Sequence, residues 1–310
     1  MTRISTPDTW NSALLNLMNA QQSQSQAQTE VSTQKIATDL GGFGRQAETL
    51  TAFKSAKARV DGYVATSRSV SARLTTQDTA LNQVAGAGQA ARQAITDALA
   101  SASGDGLMLV LQQSFQQVVD GLNTRHDGDY VFGGGRTDRA PVSATTLSDL
   151  TTAPAVDSLF QNGSLKAAAR LDDSTTVQTG FLASDVGKPL FQVFQAIQAY
   201  ATGSNGPFSH PLSDAQRTFL SSQLGAFDTA ITGVTAAAAR NGGLQKRIET
   251  HITDQKAQSD SLTQLIGDRT DIDMATALTR LTQAQQAVQA SAQIVASLKN
   301  TSLLNLLPQG

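Results

Sequence analysis

Both ends of this chain place apolar or glutamine side chains at alternating steps of three and four. Within residues 11–40 these are Leu14, Leu17, Gln21, Gln24, Gln28, Val31 and Lys35. Within 271–307 they are Met274, Leu278, Leu281, Gln285, Val288, Ala292 and Val295. That step is the seam of coiled helices, because it keeps one stripe facing a partner helix as the chain winds. Two seams at opposite ends of a chain predict that the ends pair with each other or with neighbouring copies. Assembly therefore leads over catalysis. The expected interface is Leu14, Leu17, Val31, Met274, Leu278, Leu281, Val288, Val295 and Leu298.

Composition narrows the classes further. The net charge over 310 residues is −2, and no basic stripe is visible, which argues against a nucleic-acid partner. Aromatic residues are 5% and charged residues 15% of the chain, so helices with narrow, alanine-rich contact ridges are favoured over a thick aromatic core. The absence of cysteine removes disulfides, thiolate metal sites and a cysteine nucleophile. After Arg3 the chain turns polar without the apolar run of a cleavable signal peptide, and nothing approaches a membrane-spanning stretch. No membrane insertion is expected.

Along the chain, Thr6-Pro7-Asp8 reads as a helix start. Gly41-Gly42-Phe43-Gly44 breaks that helix. Helical spacing returns from about Arg45 to Ser101 and, after Ser103-Gly104-Asp105-Gly106, from about Leu107 to Thr124. Asp127-Gly128 followed by Tyr130-Val131-Phe132 predicts a β-hairpin near 126–135. Residues 136–188, rich in Ser, Thr, Asp and Gly, predict a small β-rich insert. Helical spacing resumes at Leu190, pauses at Gly203-Ser204-Asn205-Gly206-Pro207 and is threatened at Gly242-Gly243. A terminal helix after Asp271 would be roughly 50 Å long. The fold class is mainly α. It divides into a terminal coil (1–40 with 271–310), a helical core (41–135 with 189–270) and an outer insert (136–188).

Three segments carry a resemblance. They are the opening Arg3-Ile4-Ser5-Thr6; the run Gly128-Asp129-Tyr130-Val131-Phe132-Gly133-Gly134 with Thr137-Asp138 and Pro141; and the finish. The finish comprises Asp271-Ile272-Asp273-Met274-Ala275, Leu281-Thr282-Gln283, Gln289-Ala290-Ser291 and Ser302-Leu303-Leu304-Asn305-Leu306-Leu307. In these the chain resembles the bacterial flagellar hook-associated proteins of the flagellin superfamily that form the hook–filament junction. It departs at Ala37-Thr38-Asp39-Leu40-Gly41-Gly42, where relatives commonly carry a Pro-Ser-Asp-Asp-Pro-like loop.

The resemblance implies an elongated, flagellin-like bundle and a structural axial role in the extracellular flagellum. The implied partners are copies of itself, the adjacent hook-associated protein, flagellin, a cytosolic export chaperone and the flagellar type III export apparatus. Leu303, Leu304, Leu306 and Leu307 are the expected export or chaperone handle. A filament flagellin is the near alternative, and a secreted helical effector the remote one. Fixing backbone is costly, and the terminal seams hold few large apolar groups. The ends are therefore expected to gain order chiefly in a lattice of copies.

No enzyme, cofactor or metal site is expected. His126, His210 and His251 are dispersed, and the Asp127 and Asp129 beside His126 are explained by a turn. Gly133-Gly134-Gly135 is not part of a Gly-x-x-x-x-Gly-Lys-Ser/Thr phosphate loop, and Gly187-Lys188-Pro189 lacks the preceding glycine and the following hydroxyl of one. Neither a Gly-x-Ser-x-Gly elbow nor a His-Glu-x-x-His pair is present.

Overall fold

The computed structural model describes residues 6–304, with side chains from 8 to 298. The helices are α1 (Thr6–Thr33), α2 (Ala47–Ser101), α3 (Leu107–Leu122), α4 (Leu147–Thr152), α5 (Ala183–Thr202), α6 (Asp214–Thr270) and α7 (Met274–Leu304). The strands are β1 (Arg125–His126), β2 (Asp129–Tyr130), β3 (Ala168–Arg170) and β4 (Thr176–Gln178). The molecule is mainly α, as the sequence predicts, with two antiparallel two-stranded ribbons, β1–β2 and β3–β4. Short stretches of 3-10 helix occupy Gly41–Gln46, kinked at Gly44, and Val156–Leu159. Two units are distinguished: residues 1–58 with 259–310, and residues 59–258. The long helices α2 and α6 contribute a segment to each.

The second unit is organised around aromatic rings supplied by three helices. Phe115 of α3 meets Phe191 and Phe194 of α5 edge-on at 5.0 and 5.5 Å, and Phe194 meets Phe227 of α6 at 5.3 Å. Offset and edge-on pairs of this kind add stabilisation beyond the area they bury. Ala80, Leu81, Val84 and Ile95 of α2 complete the wall. A smaller cluster joins Leu74 of α2 and Ile248 of α6 to Leu171 and Val177 of the β3–β4 ribbon.

The predicted hairpin is present. Arg125 pairs with Tyr130 and His126 with Asp129, and the two turn residues Asp127 and Gly128 have φ of 51° and 92°. Two left-handed residues match the right-handed strand twist, the reason Asp-Gly signals this turn. The Arg125 guanidinium lies 4.3 Å from the Tyr130 ring centroid. The chain leaves the helices at once: Phe132 carbonyl accepts from Ala183 N–H (3.1 Å) and Gly133 carbonyl from Gly163 N–H (2.9 Å). The glycine run is therefore where the intervening segment both departs and returns. Gly134 has φ of 62°, and a Cβ there would stand 2.7 Å from the Gly163 carbonyl oxygen.

The segment 136–188 is less β-rich than its texture implies. Its one ribbon is β3–β4, and α4 sits in it with a capping box between Thr146 and Asp149. The Asp149 carboxylate accepts from the amides of Thr145 (2.7 Å) and Thr146 (2.8 Å), which holds its pKa below the ordinary carboxylate value. Val142, Leu147, Leu150, Val156 and Leu159 are buried in the same cluster as Phe115 and Phe191. These side chains belong to the common core because their apolar spacing has nothing else to cover it. Helix α5 starts at Ala183, before the point where its sequence periodicity becomes visible, and runs through Pro189.

Helix α6 does not break at Gly242-Gly243. Glycine costs a helix about 1 kcal/mol relative to alanine, a penalty that tertiary anchoring readily offsets. The anchor is Asn241, fully buried, whose side-chain amide donates to the Leu74 carbonyl (2.9 Å); Gln245 donates to the same oxygen (2.9 Å).

Candidate assembly interface

The first unit pairs the chain's two ends. Helices α1 and α7 pack against each other, and the sense of the pairing is fixed at one end by a short antiparallel bridge. Ile36 N–H donates to the Thr270 carbonyl (2.8 Å), and Ile272 N–H donates to the Gln34 carbonyl (3.1 Å). Gln34 takes a left-handed φ of 58° to turn the chain out of α1 into this bridge. Lys35 forms an ion pair with Asp271 and also donates to the Thr270 hydroxyl (3.2 Å). The hydrogen bond from Lys35, followed by that from Thr270, holds the Asp271 carboxyl below its ordinary pKa.

The Asp271-Ile272-Asp273 run has a separate task for each acid. Asp271 closes the bridge, whereas Asp273 caps α7. The Asp273 carboxylate accepts from the Thr276 hydroxyl (2.9 Å) and the Ala275 amide (3.0 Å), and its pKa is lowered by these bonds in that order. Four orphan amides open every helix, and an acid at this position satisfies one while complementing the helix dipole.

Burial identifies the true seam. In α1 it runs through Trp10, Ala13, Leu17, Ala20, Gln24, Ala27 and Val31; in α7 through Met274, Ala277, Leu281, Ala284, Val288, Ser291, Val295 and Leu298. Small residues recur every seventh position on both helices and alternate with larger ones. The bridge at Lys35–Asp271 and the Glu30–Arg280 ion pair (3.8 Å) set an antiparallel register. Extending it puts Ala27 beside Leu281 and Val31 beside Ala277. Small against large lets two backbones approach closely with little apolar bulk. Further along, Asp8, Ser12 and Asn16 of α1 face Ser291, Ile294 and Leu298 of α7 across a groove of 490 Å³.

Of the residues expected at an interface, Leu17, Val31, Met274, Leu281, Val288, Val295 and Leu298 lie half-buried in this intrachain seam. Leu14 and Leu278 do not: they are 40% and 50% exposed. They correct the seam position by one residue. The apolar letters Leu14 and Leu278 drew the step toward themselves, while the stripe that is buried is carried by their neighbours Ala13 and Ala277. The signal that finds it is the seven-residue recurrence of alanine in Ala13, Ala20 and Ala27. Displaced outward, Leu14 joins Leu15 and Met18 as an exposed apolar row on α1, with Leu278 and Ile294 exposed on α7. The side chains of Leu303, Leu304, Leu306 and Leu307 lie outside the described residues.

No catalytic constellation appears among the described residues. His126 Nδ1 is 2.9 Å from the Thr76 hydroxyl, and His251 Nε2 is 3.4 Å from Asp172. Asp172 accepts from the amides of Ser174 (2.7 Å) and Thr175 (2.6 Å) at the tip of the β3–β4 ribbon, chiefly the former holding its pKa at about 2. Among the described residues no group of three potential metal ligands forms, and no helix is long and apolar enough to cross a membrane.

Residues 224–307, which take in most of α6 and all of α7, match the family model of the bacterial flagellin C-terminal helical region. None of the curated proteins matches the chain. Solved structures do. A protein of Vibrio parahaemolyticus assigned as flagellar hook-associated is 16% identical, with a TM-score of 0.61 over 75% of this chain and 99% of that one. Bacillus cereus FlgL is 18% identical, with a TM-score of 0.53 over 70% of this chain and 98% of that one. The chain thus joins a flagellin C-terminal helical region to the fold of flagellar hook-associated proteins.

Proposed function

We propose that this chain is a structural axial subunit of the bacterial flagellum that joins hook to filament and polymerises through its terminal helices. The observation that carries the reading is the α1–α7 coil: a flagellin-type C-terminal helix seated on the N-terminal helix by a thin alanine seam. Such a seam buries little apolar area, so the pair has modest stability of its own. Leu14, Leu15 and Met18 of α1 and Leu278 of α7 remain exposed on it. An exposed apolar row of that kind marks an interaction surface. Neighbouring copies covering it would supply the missing stability, and the helices would order fully in the lattice.

In this reading the chain works outside the cell, delivered by the flagellar type III apparatus with a cytosolic chaperone, and stands next to another hook-associated protein and to flagellin. The deciding experiment is a deletion strain. Cells that keep hooks, lose filaments and shed flagellin into the medium, with motility restored by the intact gene, support the junction role. A deletion strain that still builds filaments and swims ends it. The match to the flagellin C-terminal region favours a second reading, a filament subunit. Electron microscopy of the purified protein at high concentration separates the two, since a filament subunit grows long tubes and a junction subunit forms short rings or stacks.

A further inference from the structure

Two surfaces of the second unit complement each other and, among the described residues, fit no contact within the chain. Among the described residues of that unit, the large apolar side chains left exposed are Leu109, Val110 and Leu165. Leu109, at 64% exposure, and Val110 form the lip of a groove of 640 Å³ where the end of α2 meets the start of α3. The charged residues lining that groove are Asp97 and Asp105, with no basic residue among its lining. Leu165, at 75% exposure, adjoins Lys166 at the rim of a cleft of 400 Å³. That cleft has Phe181 and Leu244 as apolar surface, and Lys166, Asp185 and Arg240 as its charges. Lys166 is neutralised by Asp185 at 2.9 Å, which leaves the Arg240 charge in excess. Arg240 lies 6.0 Å from the Phe181 ring, and among the described residues it has no carboxylate partner, nor has Asp97 or Asp105 a basic one.

We infer that these surfaces are the two halves of one contact between copies: the Asp97–Asp105–Leu109 corner of one molecule docks on the Arg240–Phe181–Leu165 cleft of the next. The proposal rests on the self-assembly reading and names the partner surfaces in it. Opposite charge fixes orientation, and the exposed leucines supply the apolar contact that charge alone does not. The halves are different patches, so the contact is heterologous and propagates from copy to copy without pairing off into a closed dimer. The patches are also offset along the helices. The Arg92–Asp228 ion pair (2.6 Å) and the Gln77–Asn241 hydrogen bond (3.2 Å) align α2 antiparallel to α6. On that alignment Asp97 and Arg240 are separated by some seventeen residues of helix, roughly 25 Å at 1.5 Å per residue. Neighbouring copies would be staggered by about that distance.

The chain has no cysteine, so Leu109→Cys and Leu165→Cys report the contact without background. Under conditions where the wild type sediments as assemblies, a short bis-maleimide should link a mixture of the two single variants into dimers. A chain carrying both should give a ladder of multimers, and each single variant alone should remain monomeric on a denaturing gel. Linked dimers from Leu109→Cys alone would mean an isologous contact and overturn the inference. Normal sedimentation without mixed products overturns it too, while leaving self-assembly in place. A wild type that never sediments removes both. A second series guards against a folding artefact. Arg240→Glu and Asp105→Lys should each lower the assembled fraction at least fivefold, and the two reversals in one chain should recover at least half of it.

Discussion

Lys35 and Asp271, 236 positions apart in the chain, meet as an ion pair that closes the ring between the exit of α1 and the entry of α7. The Asp271 carboxyl is held below its ordinary value by the hydrogen bonds from Lys35 and Thr270. A depressed carboxyl contributes stability that is complete above the unfolded value of about 4 and disappears as pH falls through the lower folded value. Both partners are about half exposed, so the pair is worth at most about 1 kcal/mol. Asp271→Asn should therefore speed amide exchange of Ile36 and Ile272 by no more than about fivefold at neutral pH, and the two proteins should converge below the carboxylate range. A mutant whose exchange differs from the wild type equally at pH 2 and pH 7 would mean that the bridge does not depend on this charge.

The alanine seam makes a sharper demand. Ala27 and Ala277 are 5% and 0% exposed, with the facing helix directly against them. Ala27→Leu or Ala277→Leu inserts bulk into a closed contact, which costs about 1–3 kcal/mol. Leu14→Ala and Leu278→Ala remove side chains that the seam does not use, and should leave the coil's protection unchanged while reducing assembly. Hydrogen exchange across 275–298, set beside sedimentation of the same variants, reads both effects. Equal loss of protection in the two sets would place the seam elsewhere.

The positions of the long helices, the hairpin and the terminal coil were legible because each has a local cause. The helices have a repeating apolar step, the hairpin has Asp127-Gly128, and α7 follows Asp271. The alanine half of the coil's seam was not legible. Alanine carries too little hydrophobic signal to compete with Leu14 and Leu278, though its small size is what lets it occupy the contact. Nor was the continuity of α6 through Gly242-Gly243, since its anchor at Leu74 is 167 positions from Asn241 in the chain. The folding of 136–188 into the common core was hidden for the same reason. Val142 and Leu150 look like isolated apolar residues in a polar segment until α3 and α5 are beside them.

Gly134 should tolerate no side chain. Its φ of 62° is strained for an L-residue, and a Cβ would stand 2.7 Å from the Gly163 carbonyl oxygen and 2.8 Å from that of Leu165. These are backbone atoms at the point where the 136–182 segment leaves and rejoins the helices, so they cannot yield without opening it. Gly134→Ala is expected to lower the urea midpoint, with a cost of about 1–3 kcal/mol. Gly128→Ala, in open space though at φ 92°, should cost less. If the two substitutions were equally harmful, backbone conformation and not crowding would control the site.

The buried polar contact between α2 and α6 provides the last test. Gln77 and Asn241 are both fully buried and hydrogen-bonded at 3.2 Å, with Gln77 also donating to the Thr179 carbonyl (3.3 Å). Asn241 in turn donates to the Leu74 carbonyl, which links both long helices to the end of the β3–β4 ribbon. Removing one partner leaves the other's polar atoms dry, at a cost of about 1–3 kcal/mol per unsatisfied group. Replacing both with apolar residues of similar size removes that penalty. Asn241→Ala and Gln77→Ala should each be clearly destabilising in urea. The double variant Gln77→Leu/Asn241→Leu should recover much of the loss; the Leu74 carbonyl keeps the Gln245 donor, yet the Thr179 carbonyl would lose the one from Gln77. Exchange at the ribbon amide of Thr179, which donates to Ala167 at 2.8 Å, should stay fast in that double variant even where global stability returns. Recovery of both together would reduce the pair to space-filling, and recovery of stability alone identifies it as the element that fixes the ribbon and the axial register of the two helices.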